Sequence, residues 1–165
     1  MTTQQSTFSV SDWLTGRLPS EWFTSVAVTV DREETTILGT IPAPESGSTD
    51  SQSGRIKRFR EDTRGQRIEI ALELESRTEL KVSWGVTCGQ TTEMFTRLAV
   101  PVMTRLAQPQ RQVLDTLVEA GVARSRSDAL AWCVRLVAQH QGDWLAELES
   151  AMGSVRAARA NGPSA

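Results

Sequence analysis

The pattern of apolar and polar positions along the chain changes its period near Pro109. Before that residue most apolar runs alternate with polar positions, as strands do, although one long segment also carries helical spacing. Beyond Pro109 apolar residues recur every three or four positions, as on one face of a helix. The pattern therefore predicts an α+β protein in which a mixed N-terminal part precedes a helical C-terminal part.

Several elements are predicted in the N-terminal part. Two β-branched runs flank a polar turn at residues 31–34, which predicts a β-hairpin over residues 25–41. Residues 42–54 are rich in Ser, Gly and Pro and are expected to form a flexible linker. Residues 81–89 are rich in β-formers and end at a glycine, which predicts a strand. Residues 11–23 are expected to form short helical turns that pack their aromatic side chains onto a core.

The segment between the linker and the strand carries two conflicting periods. The residues that share one helical face are Ile56, Phe59, Thr63, Ile70 and Leu74. Ile68 and Leu72 lie off that face, and positions 68–75 alternate strictly, as in a strand. A long helix that is buried on two sides would reconcile both patterns, and we favour it.

Residues 95–107 alternate again and precede three predicted helices. The alternation places Leu98, Val100, Val102 and Leu106 on one face of a strand, and Arg97, Ala99, Met103 and Arg105 on the other. Pro101 interrupts the run, which is compatible with an edge strand, a bulge or two shorter strands. One continuous sheet over residues 81–107 is a further alternative. Helices are expected from Pro109 to Gly121, from Arg126 to Gln139, and from Asp143 onward.

The turn between the first two of these helices carries a strong local signal. Gly121 suits the position just beyond a helix C-terminus, where a left-handed residue is common. Ser125 is placed to be the N-cap of the next helix, with Asp128 three residues later as its capping-box partner. Such a helix start leaves backbone N–H groups free for an anion, and Arg124 and Arg126 flank it. Taken alone, the motif is a capped corner in a helical hairpin.

The net charge of −2 gives no global signal for nucleic-acid binding, but basic residues are concentrated locally. Residues 94–140 carry six basic and three acidic side chains. A second basic cluster consists of Arg55, Lys57, Arg58, Arg60, Arg64 and Arg67. On a helix, Lys57, Arg60 and Arg64 would form a stripe suited to phosphate or to an acidic surface. The alternative is a solvated face that is balanced by the Glu-rich second half of the same helix.

The sequence offers little for catalysis, metal binding or membrane insertion. His140 is the one histidine, and Cys88 and Cys133 lie far apart. Neither a phosphate-binding P-loop nor a dinucleotide-binding glycine pattern occurs. The first residues lack the basic and apolar regions of a signal peptide, and no apolar run reaches membrane-spanning length. We therefore expect a cytoplasmic, non-enzymatic protein without a cofactor or a metal.

The order of the C-terminal elements resembles the ribbon-helix-helix family of DNA-binding repressors. The similarity covers about residues 100–140: a short strand, VMTRLA, then a helix, then the turn GVARSRSDAL and a second helix. The resemblance implies a homodimer whose paired strands enter the major groove of DNA. It implies Met103 and Arg105 as outward ribbon residues, with Arg105 contacting guanine, and Ser125, Arg126 and Ser127 as the phosphate anchor. The implied dimer core is Val102, Leu106, Val113, Leu117, Leu130, Val134 and Val137.

We thus expect an N-terminal hairpin, long helix and strand packed on a ribbon-helix-helix-like module with an extra helix. The expected divisions are a disordered tail at 1–10, an α+β part at 11–93, the module with its added helix at 94–158, and a loose tail at 159–165. The leading hypothesis is a DNA-binding regulator. One alternative is a dimerisation module that binds a protein and no longer contacts DNA. Another is an RNA- or ribosome-associated factor that uses the basic helix at 55–67.

Overall fold

The computed structural model describes residues 8–162 and has a mixed α+β architecture, as the sequence predicts. The chain divides into two compact units, Met1–Val102 and Met103–Ala165. In the first unit lie α1 (Val10–Arg17), β1 (Ser25–Val30), β2 (Glu34–Ile41), α2 (Thr49–Asp62), α3 (Arg64–Thr78), β3 (Lys81–Cys88) and β4 (Thr91–Met94). In the second lie α4 (Gln108–Glu119), α5 (Arg126–His140) and α6 (Gly142–Ala160). Within residues 8–162 no helix has the length and apolar character needed to cross a membrane.

The first unit is built on a four-stranded sheet in the order β1-β2-β3-β4. β1 and β2 form the predicted antiparallel hairpin, which is confirmed. Its turn is held by Asp31, whose Oδ1 accepts hydrogen bonds from the backbone N–H groups of Glu33 and Glu34, both at 2.8 Å. These two bonds lower the pKa of the Asp31 carboxyl. β2 pairs in parallel with β3, and α2 and α3 connect the two strands.

The core of this unit lies where the helices pack against the sheet. Alternate residues of β2, including Ile37 and Ile41, are buried, as expected for a strand with one covered face. Further buried apolar residues come from α1, from the turn after it, from α3 and from β3: Leu14, Trp22, Ile70, Leu74, Val82 and Trp84. A side chain at Gly39 would collide with the Phe23 ring, so the close approach of that ring requires glycine there.

The predicted linker is too long, because α2 begins at Thr49. Ser48 caps the helix: its Oγ accepts from the backbone N–H of Ser51 at 3.2 Å. Residues 49–54 therefore belong to a helix although their composition is typical of a linker. A single N-cap serine and the burial of Gln52 outweigh the low helix propensity of this stretch.

The predicted long helix is interrupted at Thr63, which separates α2 from α3. The Thr63 hydroxyl donates to the carbonyl of Phe59 at 2.6 Å and accepts from Arg67 Nε at 2.9 Å. The backbone bonds from the Thr63 N–H to the Phe59 carbonyl and from the Arg67 N–H to the Thr63 carbonyl are kept, so the break is a local departure of the Thr63 backbone, with φ of −101° and ψ of 2°, from helical angles. The preference for helix over strand is confirmed, but one continuous helix is wrong.

Burial on two sides is also wrong for this segment. Ile56, Ile70 and Leu74 are fully buried on the predicted face. Ile68 is 46% exposed and Leu72 is 61% exposed. The alternation over positions 68–75 is therefore a surface pattern and not a second buried face.

The strand expected over residues 95–107 is absent from the single chain, and so is the continuous sheet over 81–107. The last strand, β4, ends at Met94, and the backbone bonds to this edge continue only through Phe95 and Thr96, whose N–H groups donate to the Trp84 carbonyl at 2.8 Å and 3.4 Å. A strand needs a partner for its backbone groups, and no strand among residues 8–162 pairs with this segment beyond Thr96. The alternating pattern alone cannot provide one.

Gln52 is a buried polar residue that joins the start of α2 to the turn between β3 and β4. Its Nε2 donates to the Gly47 carbonyl at 3.1 Å. Its Oε1 accepts from the Gln90 N–H at 3.1 Å and from the Thr91 hydroxyl at 2.8 Å. The buried amide of Gln52 is therefore satisfied by three hydrogen bonds to partners nearer the surface.

We expect Gln52→Ala to lower the free energy of unfolding by about 1–3 kcal/mol, because buried donors and an acceptor lose their partners. Urea unfolding followed by circular dichroism measures this change. Gln66→Ala is the matched control, since Gln66 is exposed on α3. Equal destabilisation by both substitutions would show that the Gln52 hydrogen bonds do not stabilise the fold.

Candidate nucleic-acid interface

The helical hairpin of the second unit has a small core. Leu114 of α4, Ala129 of α5 and Ala123 between them are buried. Side chains packed around these three are only partly buried: Leu106, Leu117, Val118, Leu130 and Cys133. α4 and α5 therefore share a core of few buried residues and leave much of their apolar surface uncovered.

The end of α4 has the predicted geometry. Gly121 is left-handed, with φ of 74°, directly after the last helical residues. The Gly121 N–H donates to the Val118 carbonyl and the Val122 N–H to the Leu117 carbonyl, both at 3.0 Å. This pair of bonds is the Schellman arrangement, which satisfies the last carbonyls of a helix.

The start of α5 is capped as predicted. Ser125 Oγ accepts from the Asp128 N–H at 3.2 Å. Asp128 Oδ2 in turn accepts from a backbone N–H at 3.0 Å, but the donor is Arg124, one residue before the N-cap. This hydrogen bond lowers the pKa of the Asp128 carboxyl. The capping box is confirmed, with its return bond shifted by one residue.

Arg126 is placed differently from a free phosphate-binding arginine. Its guanidinium forms a two-point ion pair with Asp115 of α4, with Nε–Oδ1 at 2.6 Å and Nη2–Oδ2 at 2.8 Å. The pairing lowers the pKa of Asp115 and raises that of Arg126. Arg126 therefore ties α5 to α4. Sequence analysis missed Asp115, because a partner eleven residues away on another helix leaves no periodic signal.

The other residues implied by the family resemblance are exposed. Ser125 and Ser127 lie at the solvent-facing start of α5. Arg105 is exposed and forms no ion pair with any residue between 8 and 162. Met103 is 95% exposed, which is unusual for a large apolar side chain. Met103 and Arg105 precede α4 on a segment without regular secondary structure.

The expected dimer-core residues fall into two groups within the single chain. Leu106, Leu117 and Leu130 are partly buried around the hairpin core. Those with exposed side chains are Val102, Val113, Val134 and Val137. α6 adds more uncovered apolar side chains, namely Trp144, Leu145, Leu148, Met152 and Val155. None of the α6 residues is buried.

The basic cluster of the first unit is not uniformly exposed. Arg55, Lys57, Arg58, Arg60 and Arg64 are exposed. Arg67 is only 6% exposed, so it cannot belong to a surface patch. The reason is its position on the inner side of α3, where its guanidinium bonds to Thr63 and to the Arg60 carbonyl. Arg58 is partly offset by Asp62, 3.5 Å away.

Comparison with known proteins places the chain in a family. The family described as "Rv1265-like protein, N-terminal domain" matches residues 8–94, which is more than half of the chain. The chain belongs to this family. A second description, "Mb1296 C-terminal domain", matches residues 107–159. The two matched ranges lie on either side of the irregular segment before α4.

Relatives of the Rv1265-like family are similar over nearly the whole chain. The chain is 54% identical over 164 residues to the uncharacterized protein Mb1296 of Mycobacterium bovis and to the uncharacterized protein Rv1265 of Mycobacterium tuberculosis. In both cases the match covers 97% of this chain and 73% of the relative. No solved structure matches the chain.

Proposed function

We propose that the chain is a non-enzymatic, homodimeric DNA-binding regulator that uses a ribbon-helix-helix-like arrangement in its second unit. The observation that carries this proposal is a segment without strand pairing at residues 102–107 beside a helical hairpin with an uncovered apolar surface. Two copies of the segment can supply each other with the backbone partners that one chain lacks. The paired segments would then form the ribbon.

The exposed apolar residues support dimerisation. A hairpin whose core contains Leu114, Ala123 and Ala129 as its buried residues buries little apolar area. Val113 on α4 and Val134 and Val137 on α5 add uncovered apolar area. Exposed apolar side chains concentrated on one helical hairpin are typical of protein interfaces. A second copy covers it through the same residues, as a two-fold interface requires.

The DNA contacts follow from the same geometry. Arg105 is the residue suited to contact a guanine edge from the ribbon, and Met103 lies two positions before it on the same face. The free N–H groups at the start of α5, with the exposed hydroxyl of Ser127, form the phosphate anchor. Because Asp115 holds the Arg126 guanidinium, we assign Arg126 to orienting this helix start.

The salt dependence of DNA binding tests the proposal. We expect the full chain to bind a pool of random duplexes, with log K falling against log salt concentration by about 0.9 for each phosphate contact. Fluorescence anisotropy measures the slope, and repeated selection from the pool should enrich sequences with inverted half-sites. A dimer that binds no duplex at low salt would instead support a dimerisation module with a protein partner.

A further inference from the structure

A concave surface of about 480 Å³ lies on the first unit, beside α2. It is lined by Ser53, Gly54, Lys57, Arg60, Glu61, Arg64 and Glu93. Most of these residues come from α2, with Arg64 at the start of α3 and Glu93 on β4. We call this surface the α2 concavity. Its volume is in the range of small-molecule sites.

The positive charges of the α2 concavity have no close counter-charge. Among residues 8–162, neither Lys57, Arg60 nor Arg64 has a carboxylate oxygen within 4.0 Å. Glu61 and Glu93 line the same surface but form no ion pair with them. The three cations outnumber the two carboxylates on this surface and are not paired with them, so an anion that enters the concavity is favoured.

Arg67 adds a buried charge next to this surface. Its Nη2 donates to the Arg60 carbonyl at 2.7 Å, and its guanidinium lies 4.7 Å from the centre of the Phe95 ring. Arg60 approaches the same ring at 5.3 Å. Burial, together with the charges of Arg60 and Arg64, lowers the pKa of Arg67 to about 10. A buried arginine without a carboxylate partner is costly, and a nearby anion would reduce that cost.

We propose that the α2 concavity binds the phosphate group of a small phosphorylated molecule through Lys57, Arg60 and Arg64. Arginine offers a planar set of N–H donors that matches phosphate oxygens, and lysine supplies a compact charge. Three cations and two carboxylates line the surface, and the buried Arg67 adds a further positive charge next to it. A doubly charged phosphate balances this excess of positive charge. Arg67 positions Arg60 in two ways: it donates a hydrogen bond to the Arg60 backbone carbonyl, and both guanidinium groups pack on the Phe95 ring.

A discrete small ligand fits this surface better than a nucleic-acid strand does. Glu61 and Glu93 lie among the cations and would repel the adjoining phosphates of a polyanion. The inference does not depend on the proposed DNA binding, because every residue in it belongs to the first unit.

Titration calorimetry of the full chain at low ionic strength, with pyrophosphate and inorganic phosphate as probes, tests the assignment. We expect saturable binding at one site. Arg60→Gln and Arg64→Gln should each weaken it by about tenfold or more, which is the loss expected for a charge-assisted hydrogen bond. Arg58→Gln is the matched control: it removes the same charge from the same helix outside the concavity.

A substitution with the opposite sign makes the test sharper. Glu93→Gln removes a negative charge from the concavity and should tighten pyrophosphate binding several-fold at low salt. Thermal unfolding of each variant verifies that the fold is retained. Equal loss in Arg58→Gln, acetate binding as tight as pyrophosphate, or no saturable binding would each overturn the proposal. Tighter binding of single-stranded RNA, lost in the same variants, would also overturn it in favour of a nucleic-acid surface.

Discussion

Val134→Glu is expected to convert the proposed dimer into monomers. Val134 lies on α5 and is 64% exposed in the single chain, but the proposed dimer buries it together with its copy. Burying an unpaired carboxylate costs several kcal/mol, and the two-fold axis introduces it twice. We therefore expect the dimer dissociation constant to rise by at least about 100-fold, which corresponds to about 3 kcal/mol. Sedimentation equilibrium measures this directly.

The monomer should keep its fold, which separates this effect from unfolding. Because Val134 is largely exposed within one chain, the helical circular dichroism signal of Val134→Glu should match that of the parent protein. Gln139→Glu is the matched control, because it adds the same charge to an exposed polar position of α5. A parent protein that is monomeric at high concentration, or a Val134→Glu variant that still dimerises, would refute the proposed interface.

Arg105→Ala should weaken binding to a selected DNA site by about 1–3 kcal/mol and relax specificity at one base position of each half-site. The physical reason is the loss of the guanidinium, which can donate two hydrogen bonds to a guanine edge. Binding to random duplexes should fall much less. Competition between the selected and random duplexes, measured by anisotropy, separates the two effects.

A second arginine provides the control for Arg105. Arg156 is exposed on α6, outside the ribbon and the α4–α5 hairpin, and Arg156→Ala removes the same charge. It should leave the preference for the selected site unchanged. If Arg105→Ala weakens binding to selected and random duplexes equally, Arg105 contacts phosphate and the proposed contact with a base is wrong.

Local interactions explain which parts of the second unit were predictable. Gly121, Ser125 and Asp128 act within a few residues of one another, so their sequence is enough to predict the helix end and the cap. The period of apolar residues likewise predicts where α4 and α5 lie. The Arg126–Asp115 ion pair was not predictable, because it depends on how the two helices cross.

The first unit contains the clearest departures from sequence expectation. Helical spacing is continuous through Thr63, yet the Thr63 backbone leaves the helical region, with φ of −101° and ψ of 2°, and separates two helices there. Arg67 belongs by sequence to a basic cluster, but its helical face points inward. Charge and apolar period encode neither the backbone angles of one residue nor the side of α3 that packs inward.

By itself, the sequence determined the α+β class, the hairpin, the strand at β3 and the capped corner between α4 and α5. These features depend on backbone preferences and on hydrogen bonds between near neighbours. Only the tertiary structure decided the parallel pairing of β2 with β3, the end of the sheet at Met94 and the burial of Arg67. Those features require contacts between residues distant along the chain, and alternating or helical patterns carry no information about which distant residue will be the partner.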